Sequence, residues 1–200
     1  DEVVDKLVDT IDKAMPKLTH RYYKWKANQF GQTRLDWWDR NAPLPHSSEN
    51  LIKWSDAKDI ILDSFSSFHP EISNLAELFF KNNWIDASLR KGKASGAFAH
   101  PSVPSLHPYI LVNYQGKIRD VMTLAHELGH GVHQILAGKN GLLMAETPLT
   151  LAETASVFGE MLVFRKLLDE SSMAQKKQLL SGKIEDMLNT VARQIGVSPI

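Results

Sequence analysis

The chain has no cysteine among its 200 residues, which excludes a disulfide framework and any thiolate metal site. That absence is compatible with a reducing cytosol, and a cytoplasmic location is the expectation. Charge of one sign is also lacking: 23 Lys and Arg balance 23 Asp and Glu, for a formal net charge of zero. With no basic footprint and no polybasic segment, neither a nucleic acid nor a membrane surface is expected as a partner. No apolar run approaches the roughly 20 residues of a membrane span. No signal peptide is visible. The chain opens at Asp1, without methionine and already inside a helical pattern, so cut ends are expected and a missing leader carries no weight. Two hundred residues can form one sizeable core or part of a larger enzyme.

What the chain does have is His126-Glu127-Leu128-Gly129-His130, inside a helical pattern from Asp120 to Leu136. Histidines four apart on a helix project from one face about one turn apart, and two imidazoles so placed can share one Zn2+. Glu127 can then reach a metal-bound water and act as general base. Val121, Leu124, Ala125, Leu128, Val132, Ile135 and Leu136 recur at helical spacing and would bury the same helix. Gly129 and Gly131 are poor helix formers at about 1 kcal/mol each against alanine, and make sense where something packs closely. The bland alternative is a pair of ordinary helix histidines beside a solvated charge.

A catalytic zinc needs a third protein ligand. After a turn signal at Gly138-Lys139-Asn140-Gly141, a second strong helix is expected over Leu149 to Leu168. It carries Glu153 and Glu160, seven apart and on one face. Their neighbours are mostly apolar or small, and a carboxylate there is costly unless paired or metal-bound. Glu153 is therefore the candidate third ligand, with Glu146 in the connecting loop as the alternative. Glu160 is the candidate outer-shell partner, accepting from the far N–H of a ligating histidine. A salt bridge to Arg165 or Lys166 would explain it equally well. His133 returns to nearly the same face as His126 and reads as lining the site or as a satisfied buried histidine. His100 and His107 flank prolines and read better as surface residues than as substrate contacts.

Elsewhere, a first amphipathic helix over Val4 to Met15 is expected to stop near Pro16, and a second to run from Leu18 to Phe30 and end at Gly31. Leu35 to Pro45 reads as an ordered loop. Ser55 is a fair N-cap for a helix to Ser67, and Pro70 opens another to Asn82. Gly92 to Pro108 reads as loop with short extended parts, and Tyr109 to Tyr114 as the best strand. A last amphipathic helix is expected over Ser172 to Ile195. Trp37, Trp38, Trp54 and Trp84 are most simply packing residues. The fold class is mainly α, with a small β element before the zinc helix. An edge strand there could hold an extended peptide across the metal, and both Gly96 to Ala99 and Tyr109 to Tyr114 are candidates.

Several stretches, in order, resemble the M3 metallopeptidases, most closely the oligoendopeptidase F branch: Lys91 to Phe98, Tyr109 to Tyr114, Thr123 to His133, and Leu151 to Glu160, with weaker similarity at Asp39 to Pro43 and Trp84 to Asp86. The resemblance implies a zincin-like helical catalytic domain, of which residues 1–200 would be part. Its zinc-binding core would be about 92–170, with helical flanks at 1–91 and 171–200. It implies one zinc per chain held by His126, His130 and Glu153, with Glu127 as base and proton shuttle and Glu160 in the outer shell. Oligopeptides are the implied substrates. Relatives in this family are longer, and their tyrosine and histidine groups that stabilise the tetrahedral intermediate lie beyond the point matching Ile200. Each such donor is worth roughly 3–4 kcal/mol, so the chain alone is expected to hold zinc and to be a weak or inactive peptidase. The competing reading is a non-catalytic helical scaffold whose zinc motif is degenerate or structural.

Overall fold

Proline 16 does not end the first helix. In the computed structural model, which describes residues 2–45 and 51–197, α1 runs unbroken over Glu2–Gln29 with Pro16 inside it. Proline removes one i to i−4 bond. Here Asp12 and Pro16 lie on the solvent-exposed side, so water can satisfy the freed carbonyl. The Thr19 hydroxyl adds a bond to the Met15 carbonyl at 2.8 Å in the turn that follows. The helix does stop where expected. Gly31 adopts φ +69°, and the Gln32 N–H reaches back to the Ala27 carbonyl at 3.0 Å.

The chain divides into two compact units. The first contains α1, a 3₁₀ turn at Trp37–Asp39 and α6 (Met173–Val197). Its interior is tied by charge as well as packing. Buried Lys26 donates to Glu185 Oε2 at 2.7 Å and to the Arg40 carbonyl at 2.6 Å, and the Tyr22 hydroxyl donates to the same Glu185 oxygen at 2.7 Å. Burial, then Glu185, push the Tyr22 hydroxyl well above its usual range. Trp37 and Trp38 are not packing residues: they are 83% and 65% exposed and meet only edge to face at 5.9 Å.

The second unit holds α2 (Trp54–Phe68), α3 (Pro70–Lys81), β1 (Ile85–Asp86), β2 (Phe98–His100), β3 (Tyr109–Leu111), α4 (Ile118–Gly138) and α5 (Leu149–Glu170). Pro70 opens α3 as its first residue, as its fixed φ and missing N–H favour. Ser55 is not the cap of α2: Lys53 holds that position, and the Ser55 hydroxyl donates to Asp56 Oδ1 at 3.0 Å. The sheet order is β1-β3-β2, with β1 parallel and β2 antiparallel to β3. The tyrosine-led strand β3 is therefore the centre of the sheet, and β2 is an edge, which removes one of the two candidates for peptide pairing. Strand β1 carried no periodic signal. It exists because the Ile110 and Val112 N–H groups donate to the Trp84 and Asp86 carbonyls at 2.9 and 3.0 Å.

The core of this unit joins α2 and α3 to β3 and α4 through Ile61, Phe65, Phe79, Ile110, Leu124 and Leu128, all buried. Trp54 and Trp84 do pack as expected, Trp54 against Phe80 and Tyr114 and Trp84 against Phe79. The start of α4 is secured by Asp120, its third residue, whose Oδ2 accepts the Gln115 and Lys117 N–H groups at 2.8 and 3.0 Å. A carboxylate there also suits the positive end of the helix.

Candidate metal centre

Two crossing helices build the site. On α4 the face made by Val121, Leu124, Ala125, Leu128 and Val132 is buried. The His126 and His130 rings project from another face with centroids 5.0 Å apart. Helix α5 lies across α4 at backbone contact. A Cβ on Gly129 would come within 2.6 Å of the Ala155 carbonyl oxygen and 2.8 Å of Ser156 Cα, and one on Gly159 within 3.1 Å of the Ala125 oxygen. Gly131 has a different reason, since a Cβ there would strike the Phe79 ring at 2.5 Å. Glycine at 129 and 159 thus lets α5 come close enough to bring Glu153 over the histidine pair.

Glu153 Oε2 lies 3.2 Å from His126 Nε2, and its Oε1 lies 3.7 Å from His130 Nε2. One ligand atom from each of the three residues falls within 4.8 Å of the others. Helix α5 around Glu153 is more open than its apolar residues suggest: Glu153 is 55% exposed, and Leu151, Val157 and Phe158 are exposed as well. Its orientation comes instead from fully buried Ser156, whose hydroxyl lies 2.9 Å from Glu153 Oε2 and 3.0 Å from the Glu153 carbonyl. Ser156 was not singled out in the sequence, where a serine three residues on is its only signal.

Glu160 faces His126, with its Oε2 3.3 Å from Nδ1. Lys166, one of its suggested salt-bridge partners, pairs with Glu170 at 2.8 Å. Glu146 lies exposed in the loop before α5 and is not in the ligand group. His133 is half-buried on α4 and also outside that group. His100 is exposed on β2, its Nδ1 accepting the Ser102 N–H at 3.1 Å. His107 is a packing residue, stacked on Trp84 at 3.9 Å.

The electrostatics separate the acidic and basic groups. Burial pushes the Glu127 carboxyl up to about 7; the Glu153 charge adds to this, while His126 and a hydrogen bond from the Ala99 backbone oppose it. For His126, burial works against the proton, but the Glu160 hydrogen bond and the charges of Glu127, Glu153 and Glu160 outweigh it and hold the imidazole above its usual value. His130 goes the other way. Burial lowers it, Glu153 only partly offsets this, and His126 and His133 lower it further.

Two imidazoles and one carboxylate form the donor set of a catalytic zinc site with a position left open. The residues fit such an ion. The Nε2 atoms of His126 and His130 are the ring nitrogens turned toward Glu153, and His126 keeps its other nitrogen against a carboxylate, the usual way of orienting a ligating histidine.

Fold and site together define a mainly helical protein in which an H-E-x-x-H helix is crossed by a glutamate-bearing helix. The chain belongs to peptidase family M3, whose sequence profile matches residues 1–198. It is 30% identical over 196 residues to oligopeptidase PepF of Bacillus subtilis, covering 97% of this chain and 29% of that protein. It is 32% identical over 197 residues to an oligoendopeptidase F homolog of Borreliella burgdorferi, covering 96% and 33%. It therefore spans about a third of the length of these relatives. In fold it matches a structure of PZ peptidase A with an inhibitor, with a TM-score of 0.83 over 98% of this chain and 35% of that one, at 17% identity. Among the described residues, no helix is long and apolar enough to cross a membrane.

Proposed function

We propose that this chain carries the metal-binding part of a zinc-dependent endopeptidase that hydrolyses oligopeptides, acting in the cytoplasm. The observation that carries the reading is the convergence of His126, His130 and Glu153 within 4.8 Å beside a buried glutamate on the same helix. We place both compact units in one catalytic domain, with residues 92–170 as its metal-binding core. Because the chain spans about a third of its relatives' length, we assign efficient turnover to a longer polypeptide.

His126, His130 and Glu153 would hold one Zn2+, and Glu160 would fix the His126 ring so that Nε2 faces the ion. When bound, the ion supplies Lewis acidity toward the attacking water and the scissile carbonyl. Burial pushes the Glu127 carboxyl up to about 7 before any ion is bound, toward the range of a group that must both take and return a proton near neutrality. Glu127 would accept the proton of the attacking water and deliver it to the leaving amine nitrogen. Edge strand β2, which meets Glu127 through Ala99, would hold an extended peptide by main-chain hydrogen bonds.

The test is zinc stoichiometry by elemental analysis after dialysis against metal-free buffer. One zinc per wild-type chain, lost in Glu153→Ala and kept in Glu127→Gln, is the expected result. No zinc in the wild type after metal is added back would reject the reading and leave a helical scaffold with a structural motif. In a longer form that cleaves peptides, Glu127→Gln should abolish cleavage with zinc retained.

A further inference from the structure

Strand β2 pairs with β3 on one side only, and the register decides which of its groups face outward. Ala99 stands opposite Ile110, whose N–H is committed to β1 through the Trp84 carbonyl. In an antiparallel pair, opposed residues either exchange hydrogen bonds or both point away from each other. Ile110 points to β1, so Ala99 points out of the sheet, toward α4. Both of its main-chain groups are engaged there. The N–H meets Glu127, and the carbonyl accepts from Gln134 Nε2 at 3.4 Å.

Gln134 lies seven residues after Glu127 and four after His130. Its hold on Ala99 is long for a hydrogen bond, and its Oε1 is buried with no hydrogen-bond partner among the described residues. A buried amide oxygen left unpaired is costly. The side chain is thus held weakly enough to be displaced, although its bond to the Ala99 carbonyl must be given up first.

On the reading that an extended peptide adds to β2, we propose that Gln134 is a placeholder for that peptide. It occupies the Ala99 carbonyl in the empty site, and the incoming peptide's backbone N–H displaces it. Gln134 then sets how tightly peptides bind by competing with them, at a cost confined to peptides that carry an N–H at the matching position. No charge on the ligand is needed: Gln134 narrows the advantage that peptides carrying this amide have over peptides blocked at it.

The test uses the zinc-loaded chain and an uncleavable phosphinic peptide, with a set of analogues in which one amide N–H at a time is replaced by an ester oxygen. Gln134→Met keeps the volume and removes the amide; Gln134→Leu serves if the first variant does not fold, and zinc content reports an intact site. Removing one competing hydrogen bond should tighten binding of the parent peptide about 2- to 10-fold. The gain should vanish for one ester analogue and persist for the others. Unchanged or weaker binding of the parent peptide by a variant that holds its zinc would overturn the placeholder role while leaving the peptidase reading intact. A gain equal for every ester analogue would overturn it too. Failure of the zinc-loaded wild-type chain to bind any of the peptides would remove both.

Discussion

Replacing Gly129 by alanine asks whether the spacing of α4 and α5 sets the metal site. The added methyl would sit 2.6 Å from the Ala155 oxygen and 2.8 Å from Ser156 Cα. Both are backbone atoms of a packed helix and cannot rotate aside, so α5 must retreat by roughly half an ångström or more to restore ordinary contact. Overpacking of this kind costs about 1–3 kcal/mol, and the better helix propensity of alanine returns about 1 kcal/mol. Net stability should therefore fall by about 0–2 kcal/mol, a modest change.

The effect on the metal should be larger in proportion. Glu153 sits two residues before Ala155 on the same rigid helix, so its carboxylate moves with the displaced backbone. Metal–ligand distances tolerate only about 0.2 Å, and zinc affinity should drop about tenfold or more. Chelator competition reads the affinity, and urea unfolding of the metal-free chain reads the stability. Gly182→Ala on α6 is the control, because a methyl there meets nothing within 4 Å. It should gain about 1 kcal/mol and leave zinc binding unchanged. A Gly129→Ala chain with wild-type affinity would refute the claim that this close crossing positions Glu153.

Glu160→Ala should weaken zinc binding by about 10- to 100-fold without abolishing it, because it removes the carboxylate that orients His126; isothermal titration that finds no change would dismiss the contact. Asp86 is held down to about 2 by its hydrogen bonds from Arg90, with Lys93 contributing. A depressed carboxyl stabilises fully above its unfolded value of 3.8, and the contribution is lost as pH falls toward about 2. Asp86→Asn should accordingly be less stable than wild type at neutral pH, with the difference closing as the pH falls through that window; acid unfolding followed by circular dichroism checks it. Lys26→Met leaves Glu185 in its pocket with the Tyr22 hydroxyl but without its cation, and should cost about 2–3 kcal/mol in urea unfolding, discounted from the fully buried case because Glu185 keeps some exposure.

The parts of the fold that could be read from sequence were those written in long, repeated signals. Helix α4 was expected over Asp120 to Leu136 and runs over Ile118–Gly138; α5 was expected to end at Leu168 and ends at Glu170. Each turn of such a helix restates the same apolar face, so an error at one end does not erase the element. Strand β1 has no such redundancy. Two residues cannot show a period, and the strand is defined by carbonyls that accept from residues 26 positions later. Pro16 failed as a stop signal because the cost of a proline depends on whether the freed carbonyl is wet, which local sequence does not state.

The candidate site shows a residue chosen for an incomplete reason. Glu153 was singled out as a carboxylate stranded on an apolar helix, yet more than half of its side chain is exposed and so are three apolar neighbours. Burial did not place it. What placed it was the absence of side chains at Gly129 and Gly159, which lets two backbones meet, together with a buried hydroxyl at Ser156 that holds the carboxylate. The seven-residue spacing of Glu153 and Glu160 then does the rest. Two turns of helix separate them, so one can face the Nε2 atoms of both histidines while the other stands beside the Nδ1 of His126. The glycines were visible in the sequence as unfavourable helix residues. Their meaning became specific only once the partner helix was known, because a glycine in a helix says that something comes close and does not say what.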